Sequence, residues 1–518
     1  MRRQRIGYTF LLLIVAFPLL AQPRPVMRRI PLAELRDRIA GGWAGQMIGV
    51  SFGAPTEFRS LARMIEGPLP DWKPANVAGA IDQDDLYVDM TFARVLDDKG
   101  LSATSEDFGN MFRDSRYRLW HANLAARRAL RRGVSATLTG TPRYNVHAND
   151  IDFQIESDFI GLMAPGLPAA ANDFCLRAGR VMNYGDGIYG GMFVSGMYAA
   201  AFFDSDPRRI VQAGLASIPA TSPYGQLIAD VLAWSRQYPD DWKKVWNRIE
   251  AKWDTREPCP EGAARPFNID AKLNGGYIAL GLLYGQGDFG KTIEIATRAG
   301  QDSDCNPSSA AGIIGVMLGY SRIPDAWKGG IPAIANTKFN YTDYSFNGIV
   351  DSTEKRALAL IRATGGRLDG DTVVVKTQSP KASALKIWDD YGSPAERIAT
   401  TDARWTWTGA WSPADNRKVR RASAGGVEAS VTFTGTGAVL VGPYLADGGK
   451  ADVYLDGRLN RTVDSNSDEE QSKTSEAVWH AFGLTPGAHT LRVVVKGEEM
   501  YPGKGTTVGV EDLIVFRK

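Results

Sequence analysis

Two short acidic turns and one glutamate carry the chemistry that this sequence can do. The first turn is Gly300-Gln301-Asp302-Ser303-Asp304-Cys305-Asn306-Pro307, followed by a small, apolar run to Tyr320. Asn306 is a good N-cap and Pro307 suits a first helical position, so the spacing predicts a buried helix starting there. Asp302 and Asp304 then stand at its positive end. The second turn, Asp82-Gln83-Asp84-Asp85, precedes the apolar run Leu86 to Leu96, which reads as another helix with Val88, Phe92 and Val95 on one face. Glu57 follows the helix break Gly53-Ala54-Pro55. Each turn alone is also what an ordinary helix start on a solvated loop looks like. Brought together, Asp84, Asp85, Asp302 and Asp304 would repel one another unless a cation sat among them, and an all-oxygen donor set selects Mg2+, Mn2+ or Ca2+.

Other chemistries fit less well. Three cysteines, Cys175, Cys259 and Cys305, give no disulfide framework, and the four histidines, His121, His147, His480 and His489, form no zinc spacing with them. No Gly-x-Ser-x-Gly elbow accompanies His121 or His147. Gly285-Gln286-Gly287 lacks the Lys-Ser/Thr that a phosphate loop needs. Carboxylates remain as the reactive groups. Two polar stretches with glycines beside them could bring a ligand close to backbone: Asp150 to Asp158, which holds Glu156 and Asp158 and is followed by Gly161 to Gly166, and Asn183-Tyr184-Gly185-Asp186-Gly187. Both also read as plain interhelical loops. Glu156, Asp158, Asn183 and Asp186 are the candidate hydroxyl contacts.

These residues need a scaffold. The 518 residues, 44% hydrophobic and 23% charged, suffice for two or three globular domains. A net charge of +2 gives no reason to expect nucleic acid or an acidic membrane as partner. Arg2, Arg3 and Arg5 before the apolar run Ile6 to Leu20, with Ala21 as cleavage residue, have the layout of a secretory signal peptide over 1–21, which implies a secreted or periplasmic protein; a short membrane anchor is the alternative. Residues 28–365 read as an all-α domain and 366–386, rich in Gly, Asp, Thr, Ser and Pro, as a linker with one strand at Val373 to Lys376. Residues 387–518 switch to period-two alternation. Strands are expected at Val427–Phe433, Ala438–Val441, Ala451–Leu455, Ala477–Phe482, His489–Val495 and Val508–Phe516, separated by turns such as Asp456-Gly457, which argues for an antiparallel, jelly-roll-like β-sandwich. Trp405, Trp407 and Trp411 could stack on sugar rings or pack in that sandwich.

Residues 35 to about 335 resemble the ADP-ribosylglycohydrolase family. Gly49 to Phe58 is similar to the family motif Gly-Asp-x-x-Gly-x-x-x-Glu, with Glu57 at the glutamate. Gln83-Asp84-Asp85 is similar to its Thr-Asp-Asp metal motif. Gly300 to Gly315 is similar to its Gly-Gly-Asp-Thr-Asp-Thr-Asn motif, the most specific of the three. The resemblance implies an all-α domain with one or two Mg2+ or Ca2+ ions held by Asp84, Asp85, Asp302 and Asp304, and Glu57 and Asp84 at the reacting centre. Val50, Gln83 and Cys305 depart from the motifs. The C-terminal part resembles galactose-binding-like sandwiches attached to carbohydrate-active enzymes. The implied activity is hydrolysis of a glycosidic bond of a glycan or glycoconjugate, with furanosides among the candidate substrates. A true ADP-ribosyl hydrolase and a non-catalytic glycan-binding protein on a degenerate scaffold are the alternatives.

Overall fold

A computed structural model describes residues 26–416, 418–469, 472–501 and 503–518. The expected signal peptide over 1–21 lies outside the described residues. The described chain is mainly helical up to Ala363 and built of strands beyond it, as the change of periodicity implies.

The helical domain is organised on one pair of helices. Gly41, Gly45, Gly49 and Gly53 recur every four residues along helix Leu32–Gly53 and so line one face. That face lies directly on helix Cys305–Leu318. A Cβ at these four positions would run into the backbone carbonyls of Gly315, Ala311, Pro307 and Ser303 in turn. Only glycine permits the approach, and its result is to press loop 301–304 against the end of the first helix, where Glu57 follows. Gly45→Val is expected to destabilise the protein by more than about 3 kcal/mol, because the opposing atom is backbone and cannot swing aside. Gly67→Ala, whose Cβ meets nothing within 4 Å, should stay within about 0.5 kcal/mol of wild type in the same denaturant titration.

Helices Asp186–Ala201 and Ala271–Gly285 pack around this pair and are buried on all sides, which explains why their sequences show apolar runs without a polar face. Helices Asp84–Lys99 and Phe346–Ala363 flank the first helix, with Trp43 Nε1 donating to Thr353 Oγ1 at 3.1 Å. Strand Met27–Pro31 pairs antiparallel with Thr372–Lys376, which also pairs with Arg367–Asp369. Part of the stretch between the two domains therefore closes a small sheet on the N-terminus of the helical domain.

In the β-rich domain, the large sheet runs Arg458–Asp464, Gly449–Leu455, Lys473–Glu499, Glu428–Tyr444, Asp512–Arg517, Ser393–Ala399, with Trp405–Thr408 also on Glu428–Tyr444. Val508–Val510, Val419–Ala422 and Ser412–Ala414 make a second sheet. The two share a core that includes Ala422, Val431, Leu440, Val508 and Trp479, the arrangement of a sandwich. Two pairs of expected strands are single long ones, Glu428–Tyr444 and Lys473–Glu499. Gly435 and Gly437, and the register shift between Phe482 and Gly487, bend the ladder without ending it. Of the two roles open to the tryptophans, packing is the one observed. Trp405 and Trp407 stack at 5.0 Å, Trp411 meets Trp407 edge-on at 5.1 Å, and all three lie against the sandwich core.

The sandwich sits on helix His121–Arg131. Arg128 and Arg132 pair with Asp464 and Asp468, and Arg127 with Glu469 at 3.1 Å. Arg128 also lies 3.5 Å above the Tyr444 ring.

Candidate active site and metal centre

The two acidic turns, more than two hundred residues apart in sequence, converge. Asp85, Asp304 and Cys305 place one donor atom each within 4.8 Å of one another, and so do Glu57, Asp302 and Asp304. Asp304 belongs to both groups. Local backbone geometry makes this possible. Gly300, at φ 81°, has no room for a Cβ between the carbonyls of Ser60 and Arg63. Gln301 and Phe58 both adopt positive φ, 53° and 49°, and are tied by Phe58 N–H to Gln301 O at 3.0 Å. Such conformations cost about 1–3 kcal/mol each and persist where the surroundings impose them. Helix Cys305–Leu318 begins two residues earlier than the Asn306 cap implies, with Asp304 as N-cap. Asn306 instead lies inside the helix and donates Nδ2 to Asn274 Oδ1 at 2.9 Å. Asp304 O accepts from Ser308 N–H at 3.0 Å, so the helix starts on the acidic loop itself.

Asp85 is fully buried, and Asp302 and Asp304 are 2% exposed. One carboxylate oxygen of each, Oδ1, is enclosed without a hydrogen-bond partner among the described residues. Burial, then the charge of Asp304, pushes the Asp85 and Asp302 carboxyls well above the usual carboxylate range. Asp84 is held at about 6 by burial and by Asp304. Glu57 stands at about 8, through burial and the charges of Asp304 and Asp84; because Glu57 reaches solvent, the two neighbouring charges are the firmer cause. Orphaned carboxylate oxygens in a buried cluster fit a hard divalent cation, which satisfies the lone pairs and removes the repulsion.

The departures from the family motifs have physical readings. Burial and the carboxylates around it push the Cys305 thiol well up, so it stays protonated, and it donates to Asp85 Oδ2 at 3.3 Å. It acts as an orienting hydrogen-bond donor in place of a soft metal ligand. Val50 is fully buried and offers no polar atom. Gln83 caps the second turn with its carbonyl, which accepts from Leu86 and Tyr87 N–H at 3.1 Å.

A second belt of buried polar groups adjoins the cluster. Asp158 is fully buried, and burial, opposed by the Tyr198 hydroxyl, holds it at about 7 beside Asp89, whose Oδ1 accepts from Phe159 N–H at 3.2 Å. Glu156 accepts from Asn123 Nδ2. Asp152 Oδ1 accepts from Asn123 N–H at 2.8 Å. His147 Nδ1 and Asp150 Oδ2 are 2.6 Å apart. Asn183 is engaged by backbone throughout: Oδ1 accepts from Phe153 N–H at 3.0 Å, and Nδ2 donates to the carbonyls of Ala148 and Asp150. It thereby holds the 148–153 loop in place. Asp186 lies further off, beside the Lys272–Asp270 ion pair, with burial outweighing Lys272 to hold it at about 7. Asp89, Asn123 and the Lys272–Asp270 pair had no signal in sequence, since each sits inside an otherwise ordinary helix or at its cap.

A family model described as ADP-ribosylglycohydrolase matches residues 31–361. A curated relative, A type blood alpha-D-galactosamine galactosaminidase of Flavonifractor plautii, is 32% identical over 104 residues, which is 19% of this chain and 9% of that one. This chain thus spans less than a tenth of that relative's length. Among solved structures, an ADP-ribosylglycohydrolase-related protein complex aligns with TM-score 0.38 and 18% identity over 64% of this chain and 99% of the other. A family 35 carbohydrate binding module from an environmental isolate aligns with TM-score 0.17 and 11% identity over 23% of this chain and 90% of that one. The family model spans well over half the chain and takes in all three acidic motifs, so the chain belongs to the ADP-ribosylglycohydrolase family.

Proposed function

We propose that this protein is a metal-dependent glycoside hydrolase, exported through its N-terminal segment, whose substrate is a glycan or glycoconjugate. The observation that carries this is the convergence of Glu57, Asp85, Asp302 and Asp304, with Asp84 close enough to feel the charge of Asp304 and with orphaned oxygens on Asp85, Asp302 and Asp304 among the described residues. Asp85, Asp302 and Asp304, with Asp84 at the edge, would hold Mg2+ or Ca2+. The ion, when bound, supplies a Lewis-acid template for vicinal sugar hydroxyls.

The chain's own groups do the rest. Glu57, at the solvent-facing edge of the cluster, is placed to pass a proton to the leaving group or take one from water. The remaining negative charge stabilises an oxocarbenium-like transition state. Asp158 and Glu156 are fully buried behind the cluster, where they back the carboxylates that would hold the ion. The galactosaminidase named above puts amino-sugar galactosides among the substrates worth testing, and the family match puts ADP-ribosyl-arginine and ADP-ribosyl-serine beside them.

Release of reducing sugar from furanosides, galactosides and galactosaminides, with Mg2+, Ca2+ or chelator, tests the reading. Glu57→Gln is expected to lower kcat about 100- to 10,000-fold while metal binding, followed by calorimetry, stays within a few-fold of wild type. Undiminished turnover in excess chelator on every substrate cleaved would remove the metal from the mechanism.

A further inference from the structure

A cavity of about 250 Å³ separates helix His121–Arg131 from the sandwich, and both domains line it. Its walls carry His121, His147, Arg128, Glu476, Arg461 and His480. The charges on these walls are not evenly matched. Arg128 and Arg132 are neutralised by Asp464 and Asp468. Arg461 is not. Its Nη atoms donate to the carbonyls of Arg143 and His480, its Nε is enclosed without a partner, and no carboxylate of the described residues lies within ion-pairing distance. Burial and the charge of Arg143 lower Arg461 to about 10. A guanidinium partly withdrawn from water without a counter-charge is costly, and an anion delivered by a ligand lowers that cost.

Other groups on the cavity wall suit hydroxyls. His147 has Nδ1 occupied by Asp150, which leaves Nε2 for a ligand. No hydrogen bond is made by the His121 ring or the Glu476 carboxyl among the described residues, and His121 is held at φ 39° at the start of its helix. Rings also link this end to the acid cluster. Phe58, next to Glu57, lies 4.8 Å from Phe267, Phe267 lies 5.5 Å from His121, and His121 lies 5.4 Å from His147. Ring faces of this kind cover the C–H faces of sugars.

We infer that the interdomain cavity is a subsite for an acidic sugar, a hexuronic acid whose carboxylate pairs with Arg461 and whose hydroxyls meet His121, His147 and Glu476, next along the chain from the residue that is cleaved. Its place as a neighbouring subsite rests on the hydrolase reading. The binding itself does not, so it is measured in chelator, without turnover.

The test is calorimetry of the full chain with sodium glucuronate and sodium galacturonate, against glucose, galactose, acetate and inorganic phosphate. The uronates are expected to bind at least about tenfold more tightly than the neutral hexoses and both small anions. Arg461→Gln is expected to erase that preference. Ala125→Phe, which fills the cavity from the helix side and leaves Arg461 in place, is expected to abolish binding and keeps the question open to test if Arg461→Gln does not fold. Asp302→Ala should bind the uronates as wild type does. Uronates that bind no better than glucose, phosphate or acetate that binds as well, or wild-type affinity in Arg461→Gln or Ala125→Phe overturns the inference. If uronates bind and no glycan is ever cleaved, the subsite stands and the hydrolase reading fails.

Discussion

Asp302→Ala is expected to separate the metal-free protein from the metal-loaded one in opposite directions. In chelator the variant should melt at or above wild type, because Asp302 is a buried carboxyl pushed well up by burial and by Asp304. Its ionised form opposes folding, so its removal relieves the metal-free state at neutral pH. With Mg2+ or Ca2+ at about 100 times Kd, wild type should gain about 2.7 kcal/mol of stability. The variant should gain almost none, since loss of even an outer-sphere partner weakens metal sites about 10- to 100-fold and Asp302 is placed as a direct ligand. Hydrolysis should fall with metal affinity. Thermal melts with and without each ion read the crossing directly. A variant that still gains the full metal-dependent shift would take Asp302 out of the ligand set.

The junction between the domains should respond as strongly. Asp464 is buried between Arg128 and Arg132, and it pairs with both. Asp464→Ala leaves those guanidiniums dependent on Asp468 alone, and a broken buried pair of this kind costs about 3–5 kcal/mol. Burial by itself would raise the Asp464 carboxyl, but the two arginines outweigh it and hold it at about 2. Asp468 is lowered by the same pair against its own burial. The sign follows from the lowered value. The folded state binds its proton later than the unfolded chain, whose aspartates titrate near 3.9. The contribution is complete above about pH 4 and disappears as pH falls toward 2, and it is worth about 2–3 kcal/mol for one such group. Wild type should therefore lose stability steeply between pH 4 and 2, whereas Asp464→Ala should start lower and fall less. Urea titrations at pH 6 and pH 3 distinguish this from uniform destabilisation.

Much of the architecture is legible in the residue order because it depends on local physics. The change from helical to alternating periodicity near residue 387, the small-residue helices, and the acids at two helix starts are all properties of neighbouring residues. Even the glycine stripe Gly41, Gly45, Gly49, Gly53 is visible as spacing. The sequence does not say that its partner is the very helix that carries Asp304, because that is a contact between segments some 260 positions apart. The offset of the helix start from Asn306 to Asp304 has the same origin. Packing against Asn274 and the first helix, absent from any local window, outweighs the capping preference of an asparagine.

The amino-acid sequence by itself determined which residues could react and that both acidic turns would begin helices, since residue type and near-neighbour spacing decide those. Only the tertiary structure decided that Asp85 and Asp304 share one site, that Asn183 serves the backbone, that the tryptophans pack inward, and that Arg461 has no counter-charge among the described residues. Each of these depends on which distant groups arrive at the same place, and burial then sets what their charges cost.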